Sequence, residues 1–167
     1  MQTLAPSSGE RILDIGAGRG KVADRVMKAS GGAEIYAVEP NGKRVESMKR
    51  EFPAIKSSAA SAEKLPFPDA YFDKVYTTMA LHHFADLDRA LGEVARVLKP
   101  GGSFVILEVE PGSGLGSLFR FFGRVIGEKM VLMDEAQLSA RLDASHYFRV
   151  GSTSRLGARY IMRLSRT

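Results

Sequence analysis

"ILDIGAGRGKVADRVM", residues 12–27, decides the fold. An apolar run meets three glycines, and these lead into a stretch with Val22, Val26 and Ala29 at helical spacing. A strand, a glycine turn and a helix set bare backbone N–H groups and a positive helix end beside a ligand. Gly16 and Gly18 let the chain turn sharply and come close to that ligand with no Cβ in the way. Gly20 lets the helix pack tightly at its start, and Ala17 completes the tip of the loop. The glycines recur as G-x-G-x-G at 16, 18 and 20. A dinucleotide fingerprint requires G-x-G-x-x-G, and position 21 is Lys. A phosphate loop ends in G-K-[ST], and Val22 follows Lys21. The loop therefore suits one compact group rather than a pyrophosphate. Glu39 stands 19 residues after Gly20, at the end of the next strand-like run. An acidic side chain there can accept both hydroxyls of a ribose. Loop and carboxylate together read as a nucleoside site.

Outward from this stretch, strand-like and helical runs alternate. Strands are expected at 11–14, 34–39, 54–58, 73–78 and 103–108, and helices at 21–29, 42–52 and 87–98. Asn41 is a fitting N-cap for the second helix. Leu87, Leu91, Val94 and Leu98 form the inward stripe of the third. "KPGG" at 99–102 suits a type II turn. Such alternation implies a parallel sheet with helices on both faces, an α/β doubly wound Rossmann-like fold. Beyond 108 the pattern changes. Leu115, Leu118, Phe119, Phe122, Val125 and Ile126 recur at spacings of three and four, a helical stripe. Asp134 with Gln137 resembles a capping box that opens a helix reaching about residue 144. Two strand-like runs, 148–154 and 158–164, lie a few residues apart around Gly157. So short a link favours antiparallel pairing, and a terminal hairpin is expected on the sheet.

The chain has 167 residues, of which 44% are hydrophobic and 26% charged. This suits one globular domain: a core over 9–110, variable helices over 111–146 and a hairpin over 147–167. No apolar run approaches the ~20 residues of a membrane span. The opening residues do not have the pattern of a signal peptide, so a cytoplasmic location is expected. Cysteine is absent, which excludes disulfides, thiolate metal sites and a cysteine nucleophile. Histidines at 82, 83 and 146 lack zinc-site spacing, and no metal is expected. The net charge of +5 falls within 111–167. That excess marks either an anionic partner or a solvated basic face.

These motifs, read with "SAEKLPFPDAYFDKVYTTMALHHF" and "LGEVARVLKPGGSFVILEVEP", resemble the class I S-adenosylmethionine-dependent methyltransferases. The resemblance is greatest to the branch that methylates small molecules, including quinone-ring and sterol methyltransferases. It covers roughly residues 9–110, and "ARYIMRLSR" is similar to that family's closing strands. The resemblance implies a seven-stranded sheet, mostly parallel with one antiparallel strand. The cofactor would be S-adenosyl-L-methionine, with S-adenosyl-L-homocysteine as product. By motif position, Asp14 and the loop 16–20 would face the methionine part. Glu39 would accept the ribose hydroxyls and Pro40 would lie against the adenine. Ser61, Ala62 and Glu63 would border the adenine edge, and Thr78 would contact the amino-acid end. Two departures stand out. Ser61 replaces the family's usual Asp or Asn. The family also has helices before its first strand, where ten residues precede Arg11 here, so the expectation is a more open site or a cover from 112–130.

A sulfonium methyl is already activated, so the protein must chiefly align reactants and exclude water. A general base is needed where the nucleophile is protonated. His82 and His83, just after the fourth strand, are the candidates for that role. "TTMA" stands where base-amino methyltransferases carry an Asn/Asp-Pro-Pro-aromatic motif, so DNA is not expected as a substrate, and RNA is a weaker alternative. A small molecule methylated at O, N or C is the expected acceptor. A non-catalytic cofactor-binding module that serves a partner is the competing reading. The stripe at 115–126 is open to three readings: a core helix, a lid over an apolar substrate, or a membrane-surface or homodimer face with Arg120, Phe121, Arg124 and Lys129 at its rim.

Overall fold

The computed structural model describes residues 4–126 and 131–167, apart from the side chains of Phe122 and Ile126. Those two stripe residues and Lys129 therefore lie outside the described side chains. The first βα unit is β1 (Arg11–Ile15) followed by α1 (Lys21–Ser30). Next come β2 (Glu34–Glu39), α2 (Gly42–Glu51), β3 (Lys56–Ala59) and β4 (Phe72–Thr78). A short 3₁₀ turn (Leu81–His83) leads to α3 (Leu87–Val97) and β5 (Leu98–Val109). The chain closes with α4 (Gly114–Ile126), α5 (Glu135–Ser145), β6 (Phe148–Leu156) and β7 (Arg159–Arg166).

The seven strands lie in the order β3-β2-β1-β4-β5-β7-β6. All neighbours pair in parallel except at β7, which runs antiparallel to both β5 and β6. The expected mostly parallel α/β sheet with its terminal hairpin is the observed one. Alternation along β1 explains the two layers. Ile12 joins Ala23, Val26, Ile35, Ala37 and Met48 on the α1–α2 face. Leu13 and Ile15 join Val38, Leu91, Val94, Leu138 and Leu142 on the α3–α5 face. The order reverses between β1 and β4. Helices leaving these strands go to opposite faces, and a crevice opens at their carboxyl ends.

Local signals hold with instructive exceptions. Asn41 caps α2 by accepting from the Arg44 amide, and Asp134 with Gln137 forms the full capping box of α5. Ala29, expected on the inward face of α1, is exposed, and Ser30 is buried in its place. Ser30 can be buried because its hydroxyl donates to the Met27 carbonyl and accepts from the Ala33 amide. Lys99–Pro100–Gly101–Gly102 does not interrupt the sheet. Gly101 has the positive φ of 72° that a type II turn needs, yet β5 runs through it with a register shift opposite Phe72.

Residues 60–71, broken by prolines, are pinned without regular structure. Phe67 and Tyr71 pack their rings against Tyr36 and Phe72. Arg96 of α3 donates to the carbonyls of Leu65 and Phe67 and to Asp69 and Glu93. Hydrogen bonds to a charged group contribute roughly 1.5–3 kcal/mol each when sheltered. Arg96 is partly exposed, so Arg96→Met should lower stability by about 2 kcal/mol and the thermal midpoint by roughly 4–8 °C. Thermal unfolding checks this; an unchanged midpoint would mean the aromatic rings hold the segment alone.

Candidate active site

The turn after β1 folds back over the end of β2. The amides of Gly16 and Ala17 both donate to the Val38 carbonyl, at 2.9 and 3.1 Å. Gly16 has φ 75°, and a Cβ there would stand 2.4 Å from the Ala80 Cβ. No other residue fits between the β1 and β4 turns. Gly18 has φ 58° with open space where a Cβ would be. Its amide donates to Glu39 Oε2 at 3.0 Å. Glu39 thus ends β2 buried, with Oε1 accepting from the Asn41 amide at 3.2 Å and the Arg44 guanidinium at 3.5 Å. The crevice beside these groups is an open cleft of about 810 Å³. Its walls include Gly16, Gly18, Glu39, Pro40, Ser61, Ala62, Glu63 and His83. Eight of the expected positions therefore meet in one cavity.

The remaining expected residues lie around it. Ala17 holds the loop to β2. Gly20 caps α1 and packs on Met48 and Phe52. Thr78 borders a different groove, on the α1 face, while Met79 and Ala80 line the cleft. The strand alternates faces, so one residue decides this, and Met79 turns the chain with φ 53°. His82 is buried behind the cleft wall, and His83 is exposed on it. Glu63 lines the cleft but spends its carboxylate on the amides of Ala85 and Asp86. Burial raises its pKa, but its own backbone amide, the Ser61 hydroxyl and those two amides outweigh burial and hold it below the usual range.

Asp14 lies beneath the glycine loop, fully buried on the α1 face. It accepts from the Tyr76 hydroxyl at 3.0 Å. Desolvation lifts its pKa from 3.8 to about 7; Tyr76 opposes the rise and the nearby Glu39 charge adds to it.

Sequence reasoning missed Arg44, Met79, Ala80, Phe84 and Ala85. Arg44 was findable: one turn into α2, it points back along the helix toward Glu39. The others come from a turn with no periodicity to read.

The chain belongs to the methyltransferase domain family, which it matches over residues 13–106. It is 36% identical over 124 residues to the demethylmenaquinone methyltransferase of Thermus thermophilus, across 70% of this chain and 56% of that one. It is 36% identical over 105 residues to the ubiquinone/menaquinone biosynthesis C-methyltransferase UbiE of Bordetella avium, across 60% of this chain and 41% of that one. The chain thus spans about half the length of the curated relatives it matches. The structure of a SAM-dependent methyltransferase from Aquifex aeolicus superposes with a TM-score of 0.84 at 18% identity, covering 99% of this chain and 87% of the other.

The site fits the family's cofactor on its own features. A buried carboxylate ends β2, a cradle lacks a Cβ at Gly18, and a desolvated Asp14 waits under the loop. Asp14 also makes stability depend on pH. Its folded pKa is raised, so its contribution is fully present below about pH 4 and is lost as pH rises through 7. Asp14→Asn cannot ionise and escapes that loss. Relative to the native chain, it should gain stability between pH 5 and pH 8, by about 3 kcal/mol. Urea unfolding at the two pH values checks this; a difference that does not change with pH contradicts the buried, raised carboxyl.

Proposed function

We propose that the cleft binds S-adenosyl-L-methionine and that the chain transfers its methyl group to a small-molecule acceptor at O, N or C. The observation that carries this reading is the Glu39 carboxylate, fixed by the Gly18 amide and facing the cleft. Residues 9–110 serve as the cofactor-binding part, 111–146 as the variable cover and 147–167 as the closing hairpin. Glu39 accepts the ribose hydroxyls, and Pro40 lies against the base. Ser61 and Ala62 border the base edge through short side chains and backbone. Asp14 and the 16–20 loop face the cationic amino-acid end, where Asp14 becomes an anion once its counter-charge arrives. The bound cofactor supplies an activated methyl on sulfur. The protein aligns the acceptor with it and keeps water out, which can supply roughly 7–11 kcal/mol of barrier lowering.

The two curated relatives are named for demethylmenaquinone methylation and for ubiquinone/menaquinone biosynthesis, which supports an apolar ring-bearing acceptor here. The cleft volume lies within the ~300–1,000 Å³ usual for ligand sites, ample for a nucleoside and a small second molecule. Among the described residues no helix is long and apolar enough to cross a membrane. A cytoplasmic location goes with this reading.

A thermal melt with S-adenosylhomocysteine, set against NAD and buffer, tests the proposal. Ligand at 100 times its dissociation constant stabilises by about 2.7 kcal/mol, which is roughly 5–11 °C for a chain of this size. The shift should vanish in Glu39→Ala. An equal shift with NAD, or none at millimolar S-adenosylhomocysteine, would overturn the cofactor assignment.

A further inference from the structure

Behind the cleft wall lies a pair of buried polar side chains that cofactor binding does not use. Glu108, near the carboxyl end of β5, accepts from His82 at Nδ1, at 2.9 Å. Both side chains are essentially inaccessible, at 0% and 1% exposure. Glu108 is itself fixed, since its Oε1 also accepts from the Val109 amide at 2.9 Å and its Oε2 from the His82 amide at 3.4 Å. A carboxylate only accepts, so the pairing with Glu108 sets the His82 ring proton on Nδ1. The opposite nitrogen, Nε2, is then a bare acceptor. It is buried without a hydrogen-bond partner among the described residues. Such an orphan is costly to bury, and a fold that only needed a packed ring would place a carbon there. Two rings pack on the imidazole. His83, on the cleft wall, lies 4.3 Å away between centroids. Phe119 of α4 makes a T-shaped contact, with centroids 5.6 Å apart and planes at 85°. Phe119 belongs to the helix whose outer face leaves Phe121 and Val125 61% and 65% exposed.

We infer that His82 is the general base of the reaction, that Glu108 positions it, and that Phe119 of α4 shutters its bare Nε2 until the acceptor takes the place of that ring. The inference rests on the methyl-transfer reading and narrows the acceptor to molecules that carry an ionisable O–H or N–H beside an apolar ring. As the acceptor atom bonds the methyl carbon, the carbon–sulfur bond breaks and its electron pair stays on sulfur. The acceptor's proton passes to Nε2. The imidazolium so formed is balanced by the Glu108 carboxylate, and the proton leaves to water when α4 opens. Among the described residues, the titratable groups around His82 are Glu108 from β5 and His83 from its own turn, while α4 presents the neutral Phe119. Tyr160 of β7, in register with Glu108, remains neutral because burial, with the nearby carboxylates, pushes its pKa well up.

The test uses the full chain and two readouts that need no acceptor. Histidine ¹⁵N NMR reads the tautomer, and diethyl pyrocarbonate followed by peptide mass spectrometry reads the reactivity of each ring. His82 should carry its proton on Nδ1 and react slowly in the native chain. In Phe119→Ala it should react faster, on the order of tenfold, as expected when local cover is lost, while exposed His146 is unchanged. In Glu108→Gln the new amide can also donate to Nδ1, so the share of the tautomer protonated on Nε2 should rise, and Glu108→Asp should restore most of the Nδ1–H form. A proton on Nε2, or a His82 rate in Phe119→Ala equal to the native rate, overturns the inference, even if Glu108→Gln fails to fold. A normal S-adenosylhomocysteine shift with either result overturns this inference alone. A missing shift removes the methyl-transfer reading and this inference with it.

Discussion

The structure turns on one close approach. The β1 and β4 turns meet where Gly16 faces Ala80, with no room for a Cβ between them. That approach lets the Gly16 and Ala17 amides reach the Val38 carbonyl, so the loop lies across the end of β2. The Gly18 amide is then aimed at Glu39. Three strands from different parts of the chain are locked into one rim by these contacts. The rim coincides with the reversal of strand order, where helices diverge and the sheet's carboxyl ends stay uncovered. A fold that must pack helices on both faces leaves a crevice there, and the glycine turn determines what the crevice presents.

Polar groups follow the same geography. Asp14, Glu39 and Glu108, with His82, are buried near the carboxyl ends of β1, β2 and β5 and just after β4. Burying a charge is costly unless it is paired, and each carboxyl here handles the cost differently. Glu39 accepts backbone amides and an arginine. Glu108 takes a backbone amide and an imidazole. Asp14 has one phenol and responds by holding its proton to near neutrality. Groups elsewhere are cheaper: Lys56 with Glu34, or Arg141 with Asp88, are exposed pairs that contribute little.

The amino-acid sequence by itself determined the class of fold and the ligand-facing loop. Strand-like runs in β1, β2, β4 and β5 and helical spacing in α1 to α3 reflect burial of both faces of the sheet and of one face of each helix, a local property that survives in a string. Asn41 and the Asp134–Gln137 box were legible because capping needs particular side chains at fixed spacing. The G-x-G-x-G turn and Glu39 were legible because backbone approach and hydroxyl recognition admit few residue types. Tertiary structure alone decided the rest. It buried Ser30 in place of Ala29 by giving its hydroxyl two partners. It carried β5 through the Lys99–Gly102 turn because β4 offered a register to join. It put Met79 and Ala80 in the cleft and Thr78 outside it, since a single positive-φ residue reverses which side faces inward. It also separated two adjacent histidines, one exposed on the wall and one sealed against Glu108, 26 residues away in sequence. A spacing rule reaches only what a turn of helix or a pleat brings together, whereas these partners meet because two strands pair in the sheet.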